Sequence, residues 1–282
     1  MQVLAATDFS TRSNRALRQA GLLAQPAHAQ LHVVHVVDDD RPEEQVAMEK
    51  REAERVLAEQ MSSMPELQGV QCHSMVVAGD PFDGILRVAA SLNPDLIVMG
   101  THRKQLLLDI FVGTTIERVI RRGTFPVLMV NNEAQSRYEK VVAAIDMSDA
   151  SASALRTALT IGLVGDMGAT LLHAFWPLST YTAGSDQASV DSYVESERQR
   201  SMAELTAFLA ANELQGGRWL LRVEKGGPIE IISRAVSAMR PDLLVMGTPH
   251  RSAVLRTLIG SVTEEALRSL SVDILAVPPL RK

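Results

Sequence analysis

The stretch Asp95–Thr101, which reads DLIVMGT, returns 147 residues later as Asp242–Thr248, which reads DLLVMGT. The opening stretch Val3–Asp8 (VLAATD) returns at a spacing of 138 as Val141–Asp146 (VVAAID). Repeats of this length are domains in their own right, because solenoid units are only about 20–50 residues long. The sequence therefore predicts two homologous domains, at residues 1–132 and 139–282, with a short insertion in the second.

Within each half, short β-branched apolar runs alternate with amphipathic helical patterns. The predicted strands are Val3–Thr7, Leu31–Val37, Cys72–Val77, Asp95–Met99 and Pro126–Val130 in the first half, and Val141–Ile145, Thr170–Phe175, Trp219–Val223, Asp242–Met246 and Asp273–Val277 in the second. Strands that alternate with helices predict the α/β class. We expect two tandem doubly wound domains, each a mostly parallel five-stranded sheet with helices on both faces.

The stretch Asn131–Glu139 that joins the halves is short and polar, which predicts that the domains pack together. An uncovered edge strand as apolar as Pro126–Val130 would invite aggregation. We therefore expect the last strands to pair, or to lie edge to edge, about a pseudo-two-fold axis. Each domain is expected to keep its own sheet rather than to join one continuous sheet. The insertion is assigned to Pro177–Ser192 as a surface loop, with a lid over a site as the alternative.

Composition limits the classes of function. Apolar residues make up 46% of the chain, charged residues 22%, and the net charge is −5, as in an ordinary soluble protein. Neither half is basic, which argues against nucleic acid or a membrane as a main partner. The single cysteine, Cys72, fits a reducing compartment. Met1 leads directly into a strand without a secretory leader, and no apolar run is long enough to span a bilayer. We expect a cytoplasmic protein.

Candidate binding residues follow the first and fourth strands, where parallel sheets place their ligands. They are Asp8, Gly100, Gly113 and Thr114 in the first half and Asp146, Gly247, Gly260 and Ser261 in the second. Each glycine–hydroxyl pair opens a predicted helix, where unpaired N–H groups and the helix dipole favour an anion. Two interpretations stay open for these pairs: a phosphate cradle, or an ordinary helix N-cap. Asp8, Ser10, Asp146 and Ser148, which follow the first strand of each half, are expected to be helix N-caps whatever else they bind.

Four motifs recur in the same order in both halves and resemble the universal stress protein family. In the first half, the first three are VLAATDFS near Val3, LHVVHVVD from Leu31 and GDPFDGIL from Gly79. The fourth is DLIVMGTH…VGTTIERV in the first half and DLLVMGTPH…IGSVTEEAL in the second. The resemblance implies a Rossmann-like sheet in the strand order 3-2-1-4-5. It also implies an intrachain pseudo-dimer through the last strands, with a further homodimer left open.

Some members of that family bind ATP through the pattern Gly-x2-Gly-x9-Gly-Ser/Thr. This sequence has the first and last glycines of the pattern, but Arg103 and His250 replace the middle glycine. The resemblance implies that Asp8 and Asp146 lie near the adenine, with Val36 and Ala174 on its face. The two replacements predict weak or absent binding of ATP or another adenine nucleotide. Arg103 and His250 either obstruct the phosphates or contact them.

The remaining polar residues give no catalytic or metal site. His35 and His173 lie inside apolar strands, which predicts structural roles. Cys72-His73 has no second pair at metal-binding spacing, so no metal ligand is assigned. Walker A, GxGxxG, GxSxG and HExxH motifs are absent from the sequence, so no catalytic residue is assigned.

The leading hypothesis is a tandem stress-response module that is non-catalytic, or hydrolyses ATP only weakly, and senses an adenine nucleotide or an unknown protein partner. The alternative is a nucleotide-independent interaction module with degenerate pockets. A third hypothesis, an enzyme of the adenine-nucleotide α-hydrolase type, is disfavoured by the missing motifs.

Overall fold

A computed structural model describes residues 1–101, 114–133, 136–165, 168–177, 187–248 and 259–279. In the first half the elements are β1 (Gln2–Thr7), α1 (Thr11–Ala24), β2 (Gln30–Val37), α2 (Glu43–Ser63), a 3₁₀ turn (Pro65–Leu67), β3 (Gln71–Ala78), α3 (Pro81–Leu92), β4 (Leu96–Gly100), α4 (Thr115–Arg122) and β5 (Val127–Val130). In the second half they are β6 (Val141–Ala144), α5 (Asp149–Thr160), β7 (Ala169–Phe175), α6 (Gln187–Ala211), β8 (Trp219–Lys225), α7 (Pro228–Met239), β9 (Leu243–Gly247), α8 (Ser261–Ser269) and β10 (Asp273–Val277). The predicted α/β class and alternation are confirmed.

All ten strands belong to one sheet, in the order β3-β2-β1-β4-β5-β10-β9-β6-β7-β8. Each half has the expected order 3-2-1-4-5, and neighbours within a half are parallel. The last strands pair as predicted, antiparallel, with Leu128 opposite Leu275. The expectation that each half keeps its own sheet is wrong, because a backbone ladder between two edge strands joins their sheets into one.

Apolar side chains fill both faces of this sheet across the junction. One face packs beneath α1, α2, α5 and α6, with Leu17, Leu128, Leu155 and Leu275 in one cluster. The other face packs beneath α3, α4, α7 and α8. Both clusters contain residues of both halves, so burial and backbone hydrogen bonds together hold the halves in a fixed arrangement.

Ion pairs between α4 and α8 follow the pseudo-two-fold axis. Arg268 donates from Nε and Nη2 to the carboxylate of Glu117 at 2.9 and 3.1 Å. In the equivalent pair, Arg121 Nη2 lies 3.7 Å from Glu264 Oε1. Reciprocal contacts of this kind characterise a two-fold interface. Glu117 is buried, so Arg268 compensates a charge that water cannot reach.

The junction between the halves is fastened to β10. Asp273, which is buried, accepts hydrogen bonds at Oδ1 from the backbone N–H groups of Asn131 and Asn132 at 2.8 and 3.0 Å. Its Oδ2 accepts from the Tyr138 hydroxyl at 2.7 Å. Pro126 occupies the matching repeat position in the first half, so this contact belongs to one copy only.

The insertion of the second half is partly helical. Helix α6 begins at Gln187, so the assignment of Pro177–Ser192 to a surface loop is wrong from residue 187 onward. The composition suggested a loop, but the stretch continues into a helix supported by i,i+3 ion pairs such as Glu195–Arg198. Residues 178–186, on which the alternative of a lid depends, lie outside the described residues.

In the part of the chain that the structure describes, no helix combines the length and the apolar character that crossing a bilayer requires.

Candidate functional site

The loop that follows β1 folds back on itself through serine and aspartate. Asp8 Oδ1 accepts a hydrogen bond from the Ser10 backbone N–H at 3.0 Å. Ser10 is the N-cap of α1, and its hydroxyl accepts from the Ser13 N–H at 3.2 Å. These local bonds turn the chain sharply from strand to helix. They leave Asp8 at the carboxyl edge of the sheet.

The loop that follows β6 repeats this arrangement with more contacts. Asp146 Oδ1 accepts from the Ser148 N–H at 3.0 Å, from the Ser148 hydroxyl at 2.5 Å and from the Ser151 hydroxyl at 2.8 Å. Ser148 is the N-cap of α5. The expected capping roles of Ser10 and Ser148 are therefore confirmed, whereas the expected capping roles of Asp8 and Asp146 are wrong, because their carboxylates bind the N–H groups of the cap residues instead.

We call these two turns, at Asp8–Ser10 and Asp146–Ser148, the aspartate turns. Each holds a bulky residue in the left-handed region, Phe9 at φ 62° and Met147 at φ 60°. This conformation costs a residue with a Cβ atom about 1 kcal/mol or more. The Phe9 ring stacks on His35 at 4.1 Å between centroids. The same unfavourable conformation at equivalent positions indicates that the loop geometry is maintained despite its local cost.

The carboxyl groups of these turns are ionised readily. Partial burial alone would raise the pKa of Asp8, but hydrogen bonds from Ser10 and Ser13 outweigh burial and lower it. The pKa of Asp146 is lowered by the same balance, through Ser148 and Ser151. Each turn therefore presents a carboxylate to any ligand that lies beside it.

This direction predicts how stability depends on pH. A carboxyl whose pKa falls on folding stabilises the protein above its unfolded pKa, near the ordinary value of 3.8, and that contribution is lost as the pH falls through the lower folded pKa. Relative to Asp146→Asn, we expect the wild type to lose free energy of unfolding as the pH falls from 6 to 3. Urea unfolding of both proteins across this range measures the difference. In a Ser151→Ala background, which lacks one donor to Asp146, the pH dependence should shrink; an equal dependence would contradict the assignment.

Two histidines support the ends of the first strands. His35 Nδ1 hydrogen-bonds with the carbonyl of Thr7 at 2.8 Å, and His173 Nδ1 with the carbonyl of Ile145 at 2.7 Å. The predicted structural role of His35 and His173 is confirmed, because each ring holds the strand end that leads into the aspartate turn.

Gly100 and Gly247, at the ends of β4 and β9, lie against the first turns of α1 and α5. A Cβ at Gly100 would lie 2.5 Å from the carbonyl oxygen of Arg12, and one at Gly247 would lie 2.5 Å from the carbonyl carbon of Ala150. Both positions therefore require glycine for packing, whatever else they bind.

A pocket of about 260 Å³ opens between these elements in the first half. Asp8 and Gly100 line its polar end, and Val36 lines an apolar wall with Pro81 and Ile85. Thr115 and Ile116 bring the start of α4 to its rim. The pocket lies between β1 and β4, where the strand order reverses and ligands of doubly wound folds bind.

The second half has a pocket of about 150 Å³ at the equivalent position. Asp146, Ala174 and Gly247 line it with Pro228 and Ile232. In both halves the sequence-predicted aspartate, glycine and strand-β2 or strand-β7 residue therefore lie together in one pocket.

The helix starts beside the two pockets differ. The Thr114 hydroxyl is the N-cap of α4 and accepts from the Glu117 N–H at 3.3 Å. In α8 the N-cap is Gly260, at φ 95°, and no side chain caps this helix within the described residues. Ser261 is exposed in the first turn. Thr114 therefore serves as an ordinary cap, whereas no described side chain occupies the N–H groups at the start of α8.

Arg103, Gly113 and His250 lie outside the described residues.

The sequence analysis did not identify Ser13 and Ser151, which are buried and bind the aspartate turns. It also missed Met99 and Met246, which line the two pockets. The repeat could have identified them, because all four residues recur at the spacings of 138 and 147 residues.

Among the residues with described positions, no three histidine, cysteine or acidic side chains form a group suited to a metal ion.

Comparisons with known proteins identify the family and the fold of the chain. The sequence profile of the Universal stress protein family matches residues 1–131 and 137–278. Universal stress protein E of Escherichia coli strain K12 is 24% identical over 207 residues, which cover 71% of this chain and 65% of that protein. The chain thus matches somewhat under two thirds of the length of this curated relative. A universal stress protein of Methanocaldococcus jannaschii is 30% identical over 137 residues, 46% of this chain and 81% of its own length.

Solved structures share the whole fold. A universal stress protein from Archaeoglobus fulgidus superposes with a TM-score of 0.70 at 19% identity, and the alignment covers 99% of this chain and 96% of the other. At this level of identity the likeness concerns the fold.

Proposed function

This chain belongs to the universal stress protein family as a tandem member, and from that premise we propose that it is a stress-response module whose two pockets bind an adenine nucleotide without catalysing a reaction. We take residues 1–132 and 139–282 as the two domains that supply one pocket each. One observation carries the proposal: the same carboxylate, glycine and apolar wall recur at the carboxyl ends of both first and fourth strands.

The pockets suit a flat base better than a large ligand. A volume of about 260 Å³ lies below the range of about 300–1,000 Å³ typical of drug-sized ligands. Val36 and Ala174 offer apolar contact to the face of a ring. In the second half the described hydrogen bonds to Asp146 all go to Oδ1, so Oδ2 is the atom that would accept from an amino or hydroxyl group of the nucleoside.

We assign the phosphates to the helix starts, and the second half is the better candidate. The uncapped N terminus of α8 would direct its N–H groups and the positive end of its dipole at a phosphate. In the first half Thr114 already occupies part of this donor set as an N-cap. An unknown protein partner would then respond to the nucleotide state.

We predict that ATP binds weakly to the wild type and that Arg103→Gly and His250→Gly each strengthen binding by about tenfold, or about 1.4 kcal/mol. A glycine lets the backbone approach a phosphate that a side chain keeps away. Ser261→Ala should weaken the remaining binding, whereas Thr114→Ala should change it less. Isothermal titration calorimetry with ATP measures all four variants.

Two further measurements test separately whether the two pockets bind the nucleotide and whether ATP is left unhydrolysed. Asp8→Ala combined with Asp146→Ala should abolish binding of both adenosine and ATP, and phosphate release from ATP should not exceed the buffer blank. Micromolar wild-type binding that the glycine changes leave unaltered would contradict obstruction by Arg103 and His250. Binding that survives the double aspartate change would contradict the assignment of the pockets.

A further inference from the structure

Two histidines lie side by side in the first half, away from the candidate nucleotide pocket. His32 on β2 pairs in register with His73 on β3, and in parallel strands such partners project from the same face of the sheet. Their rings are stacked, with centroids 5.2 Å apart and planes inclined by 22°. They lie near the amino ends of the strands, whereas the pocket lies at the carboxyl ends.

The His32 ring is in a state that can bind a ligand. Its Nε2 atom is buried and has no hydrogen-bond partner among the described residues, an arrangement that folded proteins usually avoid. An imidazole nitrogen that carries no proton has a lone pair with which it can bind a metal ion.

The site is accessible from solvent. Strand β3 is at the edge of the sheet, and His73 is exposed there. An ion that reaches His73 therefore meets His32 directly behind it. The Oε1 atom of Gln2 is a second buried acceptor without a described partner. It projects from the same face, because Gln2 pairs with Gln30, two residues before His32.

From this geometry we propose that His32 and His73 together bind one divalent transition-metal ion of the kind that prefers imidazole, such as Zn²⁺, Ni²⁺ or Cu²⁺. Metal–nitrogen bonds of about 2.0–2.1 Å place two ligand nitrogens at most about 4.2 Å apart. Because the rings are stacked and their nitrogen lone pairs lie in the ring planes, the exposed His73 ring must rotate out of the stack to direct a nitrogen at an ion bound to His32. Water completes the coordination.

The neighbouring cysteine is not part of this site. Cys72 projects from the opposite face and packs against the cluster that contains Leu31 and Leu57. The two ligands therefore come from neighbouring strands and not from the adjacent residues Cys72 and His73. In the second half Thr170 and Leu220 occupy the same register, so the site belongs to the first half alone.

The test is a calorimetric titration of Ni²⁺ and Zn²⁺ into the full chain without a histidine tag. We expect one bound equivalent, and a loss of affinity of about tenfold or more in His73→Ala and in His32→Gln. His28→Asn is the matched control, because it removes a histidine from a turn and asparagine tolerates its φ of 47°. The electron paramagnetic resonance spectrum of bound Cu²⁺ should show coupling to two imidazole nitrogens.

A gain of function completes the test. Thr170→His combined with Leu220→His should add a second bound equivalent, since these positions reproduce the register of His32 and His73. Unchanged affinity in His73→Ala, or an equal loss in His28→Asn, would overturn the proposal. His73 is exposed, so its variant reports on binding even where a change at His32 prevents folding.

Discussion

A single added methyl group at Gly100 or Gly247 is expected to lower the free energy of unfolding by about 3 kcal/mol, the upper part of the range for overpacking. The Cβ atom would lie 2.5 Å from backbone atoms of Arg12 or Ala150. Backbone at the start of a helix cannot turn aside as a flexible side chain can, so α1 or α5 must move away from the sheet. Each movement would also disturb the neighbouring aspartate turn.

Urea unfolding of Gly100→Ala, Gly247→Ala and the wild type, without nucleotide, measures this effect. Gly216→Ala is the matched control, because a Cβ at Gly216 meets no atom within 4 Å, and its effect should stay within about 0.5 kcal/mol. If all three variants behave like the control, the two glycines are not required for packing. Their presence would then have to be explained by a ligand.

Removal of the buried carboxylate at Asp273 is expected to cost about 3 kcal/mol. Asp273→Ala leaves the N–H groups of Asn131 and Asn132 and the hydroxyl of Tyr138 without their acceptor. Each buried donor that loses its partner costs about 1–3 kcal/mol, and relaxation or entry of water reduces the total. Because these contacts fasten the junction to β10, the change should also loosen the pairing of β5 with β10.

Asp242→Ala provides the control for Asp273→Ala. Asp242 accepts from the N–H groups of Glu139 and Lys140 at 3.1 and 2.9 Å but is exposed, so water replaces it and the loss should be about 1 kcal/mol or less. Hydrogen exchange at Leu128 and Leu275 should quicken in Asp273→Ala and not in Asp242→Ala. Equal losses in the two variants would show that burial of Asp273 does not decide its contribution.

The pH dependence of the Asp273 contribution has the opposite sign to that of Asp146. Burial raises the pKa of Asp273, although hydrogen bonds from Tyr138, Asn132 and Asn131 oppose the rise. Its contribution to stability is therefore complete below the unfolded pKa and declines as the pH rises through the raised folded pKa.

The repeat and the hydrophobic periodicity were sufficient for the fold class. Each predicted strand agrees with an observed one to within about two residues, because buried parallel strands read as apolar runs wherever helices cover both faces. The same local chemistry identified the N-caps Ser10 and Ser148, since a cap depends on residues within one turn. The repeat also indicated the pocket residues Asp8, Asp146, Gly100 and Gly247.

By itself, then, the sequence determined two α/β units, their strand order through a family resemblance, and the turns at the edge of the sheet. Tertiary structure alone decided that β5 and β10 fuse the units into one sheet, that Asp273 fastens the junction, and that His32 lies beside His73. The physical reason is the distance along the chain over which each kind of interaction acts. Propensity, capping and periodicity act over a few neighbouring residues, whereas strand register and burial bring together residues that are tens to more than a hundred positions apart.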